Sequence, residues 1–265
     1  MTEGLVQRCD LARRIAREAG AILMTYYGQL ERVEEKGDVD FVTEADRSSE
    51  AFLVDAIHTT FPNDSILAEE GTSRSGESPW TWVIDPLDGT TNFVHTFPLF
   101  MVSLGLLHGD ERVGGVCYGP VYDDEFWAAK GQGSFHNNQR IHVSTTNQLS
   151  KALLATGFPY NRREIVDELL ASVRRVICNA HGVRRCGAAA YDQCFLASGR
   201  IDGFFERGLQ PWDLAAGTVI IEEAGGRVTA GDGSAFDLLG SDVLASNGLI
   251  HDAIRDCIME PGDSE

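Results

Sequence analysis

Trp82–Phe93 reads WVIDPLDGTTNF and sets two aspartates three residues apart at the end of an apolar run. Carboxylates are rarely placed against buried strands without a partner. Val83 and Ile84 continue a strand, and Pro86 has no N–H to give a ladder, so the strand is predicted to stop there. The backbone then turns and lets Asp85 and Asp88 face one side. Two close anions raise each other's pKa unless a cation sits between them. Residues 75–111 contain no Lys or Arg, so no neighbour in sequence neutralises the pair. A hard divalent ion is the natural partner, because Mg²⁺ takes oxygen ligands, usually a few carboxylates plus water and substrate phosphate. Gly89, Thr90 and Thr91 fit the other half of such a site. If Thr90 opens a short helix, its N-terminus becomes a phosphate cradle. Metal carboxylates beside an anion cradle point to phosphoryl chemistry, in which metals stabilise the attacking and leaving oxygens.

Two further places put an acid at the end of an apolar element: Glu69-Glu70 closing SILAEE, and Asp213 in QPWDLAAG. Each acid has an ordinary reading. Asp88-Gly89 is a common turn pair, Asp213 suits a helix dipole, and Glu69 alone is a solvated side chain. Only the Asp85–Asp88 segment resists that reading by itself. Other motifs are absent. There is no GxxxxGK[ST] loop and no HExxH, and DVDFVTEAD lacks the third ligand and the glycine of an EF-hand. DPLDGTT is one residue too long for the D-x-D-x-T of aspartyl-phosphate enzymes, and Pro follows its first Asp.

The chain has 265 residues, enough for one large domain or two lobes sharing an interface. Its net charge of −18 argues against direct nucleic-acid binding, which needs a basic footprint. The six cysteines show neither CxxC nor zinc-like spacing, the N-terminus has no apolar signal region, and no apolar run has the length of a membrane span. A reduced, cytoplasmic setting is the expectation.

Along the chain, residues 5–27 are predicted as an amphipathic helix ended by Gly28. A second helix is predicted over 43–59, opened by a capping box from Thr43 to Asp46. Short strands and turn signals between Leu99 and Val143 suggest an antiparallel meander. The second half predicts a strand at LLATGF and a helix over 161–177 with Ile165, Leu169, Leu170, Val173 and Ile177 on one face. It also predicts helices over 187–198 and 212–224, a strand at RIDGFFE, short strands near 227–229 and 243–246, and a last helix capped by Asn247. This mixture implies α+β layering. The expected lobes are 1–147, carrying most candidate ligands, and 148–265, completing one compact unit.

WVIDPLDGTTNF and PWDLAAGTVIIEEAGG together resemble the two signature segments of the inositol monophosphatase family. The resemblance extends over nearly the whole chain, through DFVTEAD, AEE, GAAAYDQCFLASGRIDGFFE and SNGLIHDAI. ATGFP and GRIDGFFE resemble the family's bacterial extragenic-suppressor branch. The resemblance implies a layered αβαβα sandwich, a homodimer, and dependence on two or three Mg²⁺ per site with sensitivity to Li⁺. It also implies direct attack by a metal-activated water without a phosphoenzyme. By motif match, Glu69, Asp85, the carbonyl of Leu87, Asp88 and Asp213 hold Mg²⁺. Asp46 and Thr90 orient the nucleophilic water, with Glu69 assisting. The amides of Gly89 and Thr90 hold phosphate, and Ala189 and Glu206 contact substrate hydroxyls, as Asp88 and Asp213 also could. Asp46 has a competing role in its capping box. Lys36 matches a lysine that the family carries near a metal, and Ala68 stands where the family commonly has glycine.

DGTTNF favours inositol monophosphate or a similar polyol or sugar phosphate over the DGTK-type sequences of 3′-phosphoadenosine phosphatases and the DGSSN-type ones of fructose-1,6-bisphosphatases. The alternatives are a broader phosphatase acting on fructose 1,6-bisphosphate, histidinol phosphate or nucleotides, and a regulatory protein docking on the transcription machinery with the same scaffold.

Overall fold

The computed structural model describes residues 3–29, 33–35, 41–159, 161–240 and 242–259. Lys36 lies outside them. The chain opens with α1 (Glu3–Tyr26), a short pair β1 (Val33–Glu35) and β2 (Phe41–Thr43), and α2 (Glu44–Thr60). Then come β3 (Ser65–Ala68), β4 (Ser73–Arg74), β5 (Trp80–Asp88) and α3 (Thr90–Val94). A meander follows: β6 (Met101–His108), β7 (Glu111–Gly119), β8 (Asp124–Ala129), β9 (Gly133–His136) and β10 (Gln139–Ile141). The remainder runs β11 (Leu153–Thr156), α4 (Val166–Asn179), β12 (Gly182–Arg184), α5 (Ala189–Ala197), β13 (Gly203–Glu206), α6 (Pro211–Glu223), β14 (Arg227–Thr229), β15 (Val243–Ser246) and α7 (His251–Met259).

The strands from β3 to β10 form one sheet in the order β10-β9-β8-β7-β6-β5-β3-β4. Only β3 and β5 run parallel in it. A second sheet has the order β12-β11-β13-β15-β14, with β11 parallel to both its neighbours. Helices α1 and α2 cover one face of the large sheet, and α5 and α6 fill the space between the sheets. Helices α4 and α7 pack together against the outer side of the small sheet. The result is the expected αβαβα sandwich, an α+β fold.

The helices form where apolar spacing matches their period. On α1, Ala12, Ile15, Ala19 and Leu23 are fully buried against the large sheet. The middle layer is apolar nearly all round, as a helix between two sheets must be: Leu214, Ala216, Ile220 and Ile221 of α6 are all fully buried. This inner core joins Met101, Cys117 and Phe126 to Ala190, Leu196 and Phe204, so it draws on residues from both sides of position 147.

Three expectations are corrected. β5 does not stop at Pro86 but resumes pairing with β6 at Asp88, after a register shift between Asp85 and Asp88. A bulge lets a proline sit inside a strand without breaking the ladder on either side. On α4 the buried residues are Leu169, Ser172 and Val176, while Leu170 and Ile177 are more than half exposed. The apolar residues of α4 lie on two adjacent stripes, of which the one facing α7 is buried; Ile165 precedes the helix. Finally, the Asn247 side chain accepts from Leu249 N and Ile250 N ahead of α7, which begins only at His251.

Candidate active site

The bulge of β5 sets the site. Asp85 Oδ1 accepts from Leu87 N at 2.9 Å, and Ser49 of α2 donates to Pro86 O at 3.0 Å. These bonds fix the turn that the opening motif requires. Gly89 follows at φ +92°, where a Cβ would press on Ala188 and the Leu99 carbonyl, and α3 begins at Thr90 as expected. The first amides of a helix have no partner within it.

Three acids each serve a helix N-terminus. Asp46 closes the capping box of α2: its Oδ2 accepts from Thr43 N at 2.8 Å and from the Thr43 hydroxyl. Asp213 Oδ2 accepts from Gln210 N at 2.7 Å, capping its own helix α6. Asp88 reaches across from β5 to α5, taking Ala189 N on Oδ1 at 3.1 Å and Ala190 N on Oδ2 at 2.8 Å. Helix α5 has no side-chain cap of its own, so Asp88 supplies one from the other half of the chain.

Glu69, Asp85, Leu87, Asp88, Gly89, Thr90, Ala189, Glu206 and Asp213 all line one cavity of about 960 Å³. Carboxylate oxygens of Asp85, Asp88 and Asp213 lie within 4.8 Å of one another. Asp46 does not line the cavity and is fully buried. It reaches the site through Thr90, whose Oγ1 lies 3.2 Å from Asp46 Oδ1 and 3.1 Å from Leu87 O. The cap of α2 and the contact with Thr90 therefore use different Asp46 oxygens. Ala189, expected to contact substrate hydroxyls, lines the cavity, and its amide donates to Asp88.

Burial and mutual repulsion dominate the electrostatics. Burial pushes the Asp85 carboxyl well above its usual range, and the charges of Glu69, Asp88 and Asp213 add to this. Burial raises Asp88 to about 6 against the pull of the Ala190 and Ala189 amides and Arg185. Burial also raises Asp46, with the Thr43 and Thr90 hydrogen bonds opposing, and lifts Glu206 well above its ordinary value despite Arg185. Gly157 leaves the room in which the Glu206 carboxylate sits, since a Cβ there would collide with it. A set of crowded carboxylates without imidazole among the cavity's described lining suits a hard, oxygen-seeking cation. Cys186 also lines the cavity, but burial and the nearby Asp192 push its thiol up to about 12, which removes it as a nucleophile at neutral pH.

One residue escaped the reading of the sequence. Glu50 is buried on α2, and its carboxylate accepts from Glu70 N at 2.8 Å and Thr72 N at 3.3 Å. It holds the turn after β3 that carries Glu69. The signal was available: Glu50 stands four residues after Asp46, on the face that also buries Ser49 and Leu53.

An αβαβα sandwich with converging carboxylates beside a glycine-led helix start is a phosphatase scaffold. The chain belongs to the inositol monophosphatase family, whose model matches residues 6–260. It is 43% identical to the inositol-1-monophosphatase of Synechocystis sp., over 94% of this chain and 88% of that protein. It is 40% identical to a putative Nus factor SuhB of Neisseria meningitidis serogroup B, over 90% of this chain and 92% of that one. Among solved structures, an inositol monophosphatase from Anabaena (Nostoc) sp. superposes with a TM-score of 0.90 at 42% identity, covering 98% of this chain and 99% of that chain.

Proposed function

We propose that the protein is a Mg²⁺-dependent phosphomonoester hydrolase acting on inositol monophosphate or a similar polyol or sugar phosphate by direct attack of water. The observation that carries this is the convergence of Asp85, Asp88 and Asp213 within 4.8 Å, in the cavity that Gly89 and Thr90 also line. Glu69, Asp85, the Leu87 carbonyl, Asp88 and Asp213 are the residues that would hold the metal. When bound, Mg²⁺ supplies positive charge to the phosphate oxygens and acidifies water.

The chain's own groups do the rest. Thr90 Oγ1 gives its proton to Asp46 Oδ1 and keeps lone pairs to accept a proton from the attacking water. Asp46, buried and raised in pKa, is the final acceptor in that direction. Glu69, which lines the same cavity, assists the same water. The amides of Gly89 and Thr90 hold the phosphate. Glu206, which lines the same cavity, reads substrate hydroxyls together with Asp88, Asp213 and Ala189. The likeness to inositol monophosphatases supports inositol phosphate as the first substrate to test.

Turnover of inositol 1-phosphate, fructose 1,6-bisphosphate, histidinol phosphate, 3′-phosphoadenosine 5′-phosphate and a nucleoside monophosphate with Mg²⁺ tests the reading. Highest kcat/KM on inositol 1-phosphate is expected, and inactivity on every ester overturns it. Similarity to a protein named a Nus factor favours a second reading, in which the same scaffold docks on a protein of the transcription machinery. Its acidic surface suits a basic protein partner rather than RNA. Binding to transcription proteins that survives loss of hydrolysis would support that reading.

A further inference from the structure

Gln193 is fully buried on α5 and does not line the cavity. Its Nε2 donates to two carbonyls, Ala189 O at 3.1 Å and Asp213 O at 2.8 Å. Two acceptors on one side fix the amide's orientation, because its oxygen in that place would repel both. The two carbonyls belong to the first turns of α5 and α6. The first turn of α5 grips Asp88 through the Ala189 and Ala190 amides, and that of α6 carries Asp213. One side-chain amide thus joins the two segments that set the distance between Asp88 and Asp213.

This contact is kept despite two local disadvantages. Gln193 Oε1 is buried and accepts no hydrogen bond among the described residues, an arrangement that costs stability. It faces Gly217 in the middle of α6, where any Cβ would collide with the amide, and glycine inside a helix weakens it. Local rules are broken most often where function requires it.

We propose that Gln193 is a positioning residue for the metal site. Its amide brackets α5 to α6 and holds Asp88 and Asp213 at the spacing a divalent cation needs. The bracket touches no reacting atom and acts through the two helix backbones. It rests on the reading that these carboxylates hold Mg²⁺.

A purely structural role makes a different prediction. The Ala189 and Asp213 carbonyls also stand at positions where helix amides four residues on bond to them, so losing Nε2 orphans neither. Gln193→Met keeps the length of the side chain and removes the unsatisfied oxygen. The full chain is freed of metal, its melting temperature is recorded, and Mg²⁺ binding is measured by titration calorimetry. Gln193→Leu is carried beside it as a second apolar replacement. Both variants should melt no lower than wild type without metal, yet bind Mg²⁺ on the order of tenfold more weakly, as for other groups that orient metal ligands. Activity at limiting Mg²⁺ should fall and recover at saturating Mg²⁺. Unchanged Mg²⁺ affinity in the variants overturns the proposal, and so does loss of the fold in both, because a structural role then suffices. Wild type that binds no Mg²⁺ overturns the underlying metal reading, an outcome distinct from variants that match a binding wild type.

Discussion

Thr90 and Asp46 meet where the start of α3 approaches the start of α2, with Thr90 Oγ1 3.2 Å from Asp46 Oδ1. The other Asp46 oxygen is held by Thr43, so the carboxylate cannot swing away from Thr90 without opening the cap of α2. A half-buried hydroxyl is thereby oriented by a buried carboxylate. Thr90→Ala should lower kcat on the order of 100-fold, the lower range for a positioned proton acceptor, and leave KM little changed. Thr90→Ser should keep most of the activity. Steady-state kinetics check this, and an effect confined to KM would reassign Thr90 to ground-state binding.

The two uses of Asp46 separate by mutation. Thr43→Ala removes the capping hydroxyl and should destabilise by about 1 kcal/mol while leaving much of the turnover. Asp46→Asn loses a charged acceptor on both sides and should lower both stability and kcat. Denaturant melts and kcat measured on the same preparations decide the matter. Equal kinetic damage in the two variants would mean that the cap, rather than the carboxylate, sustains activity.

Mg²⁺ should raise the melting temperature of the metal-free protein. The ion binds only where folding gathers Asp85, Asp88 and Asp213, and at 100 times its Kd such a ligand stabilises by about 2.7 kcal/mol. Asp85→Asn removes one buried charge and should narrow that shift sharply without lowering the metal-free melting temperature. Superimposable melts of wild type with and without excess Mg²⁺ would count against the site.

Much of this was legible in the sequence because the information was local. Thr43 and Asp46 announced their capping box by spacing, whereas Pro86 read as the end of a strand that in fact resumes at Asp88. The αβαβα layering rested on the two long motifs. What sequence could not give was partnership at long range. Asp88 caps α5 across 101 residues, a bond that neither helix propensity nor spacing encodes. On α4, apolar residues lie on adjacent stripes, and only packing against α7 chose between them. Glu50 and Gln193 look like ordinary polar helix residues until the backbone groups they bind are known.

The opening tryptophan of the motif anchors an ion pair. Arg8 of α1 grips Asp64 with Nε and Nη2, each at 2.7 Å, while Trp82 Nε1 donates to Asp64 at 2.9 Å and Ser78 at 2.6 Å. Burial opposes ionisation of Asp64, but these donors, Arg8 foremost, outweigh it and hold the carboxyl below its usual range. Arg8→Met strands a buried carboxylate and should destabilise by about 3–5 kcal/mol. Adding Asp64→Leu should restore a good part of that loss. Urea titrations of the two variants check this, and a double variant no more stable than Arg8→Met would show that packing of Arg8 on Phe61 and Trp80 matters more than charge.

His251 gives the small sheet a pH dependence of its own. Its ring is buried, with Nε2 2.9 Å from Thr229 Oγ1 and Nδ1 2.9 Å from Ser246 Oγ. Burial foremost, with the Arg227 and Arg255 charges adding to it and Asp252 opposing, lowers its pKa from the ordinary 6.5 to about 4. Between those two values the unfolded chain binds a proton that the native state refuses, so stability rises with pH. The contribution is complete above the unfolded value and is lost as pH falls toward the folded one. At about 1.4 kcal/mol per pKa unit, the loss is on the order of 3 kcal/mol. The carboxylates titrate in the same range, so the quantity to follow is the difference between wild type and His251→Asn. That difference in unfolding free energy should shrink from pH 7 to pH values near 4.5, because the variant lacks the imidazole that must charge. A constant difference over this range would mean that the native ring accepts its proton as readily as the unfolded one.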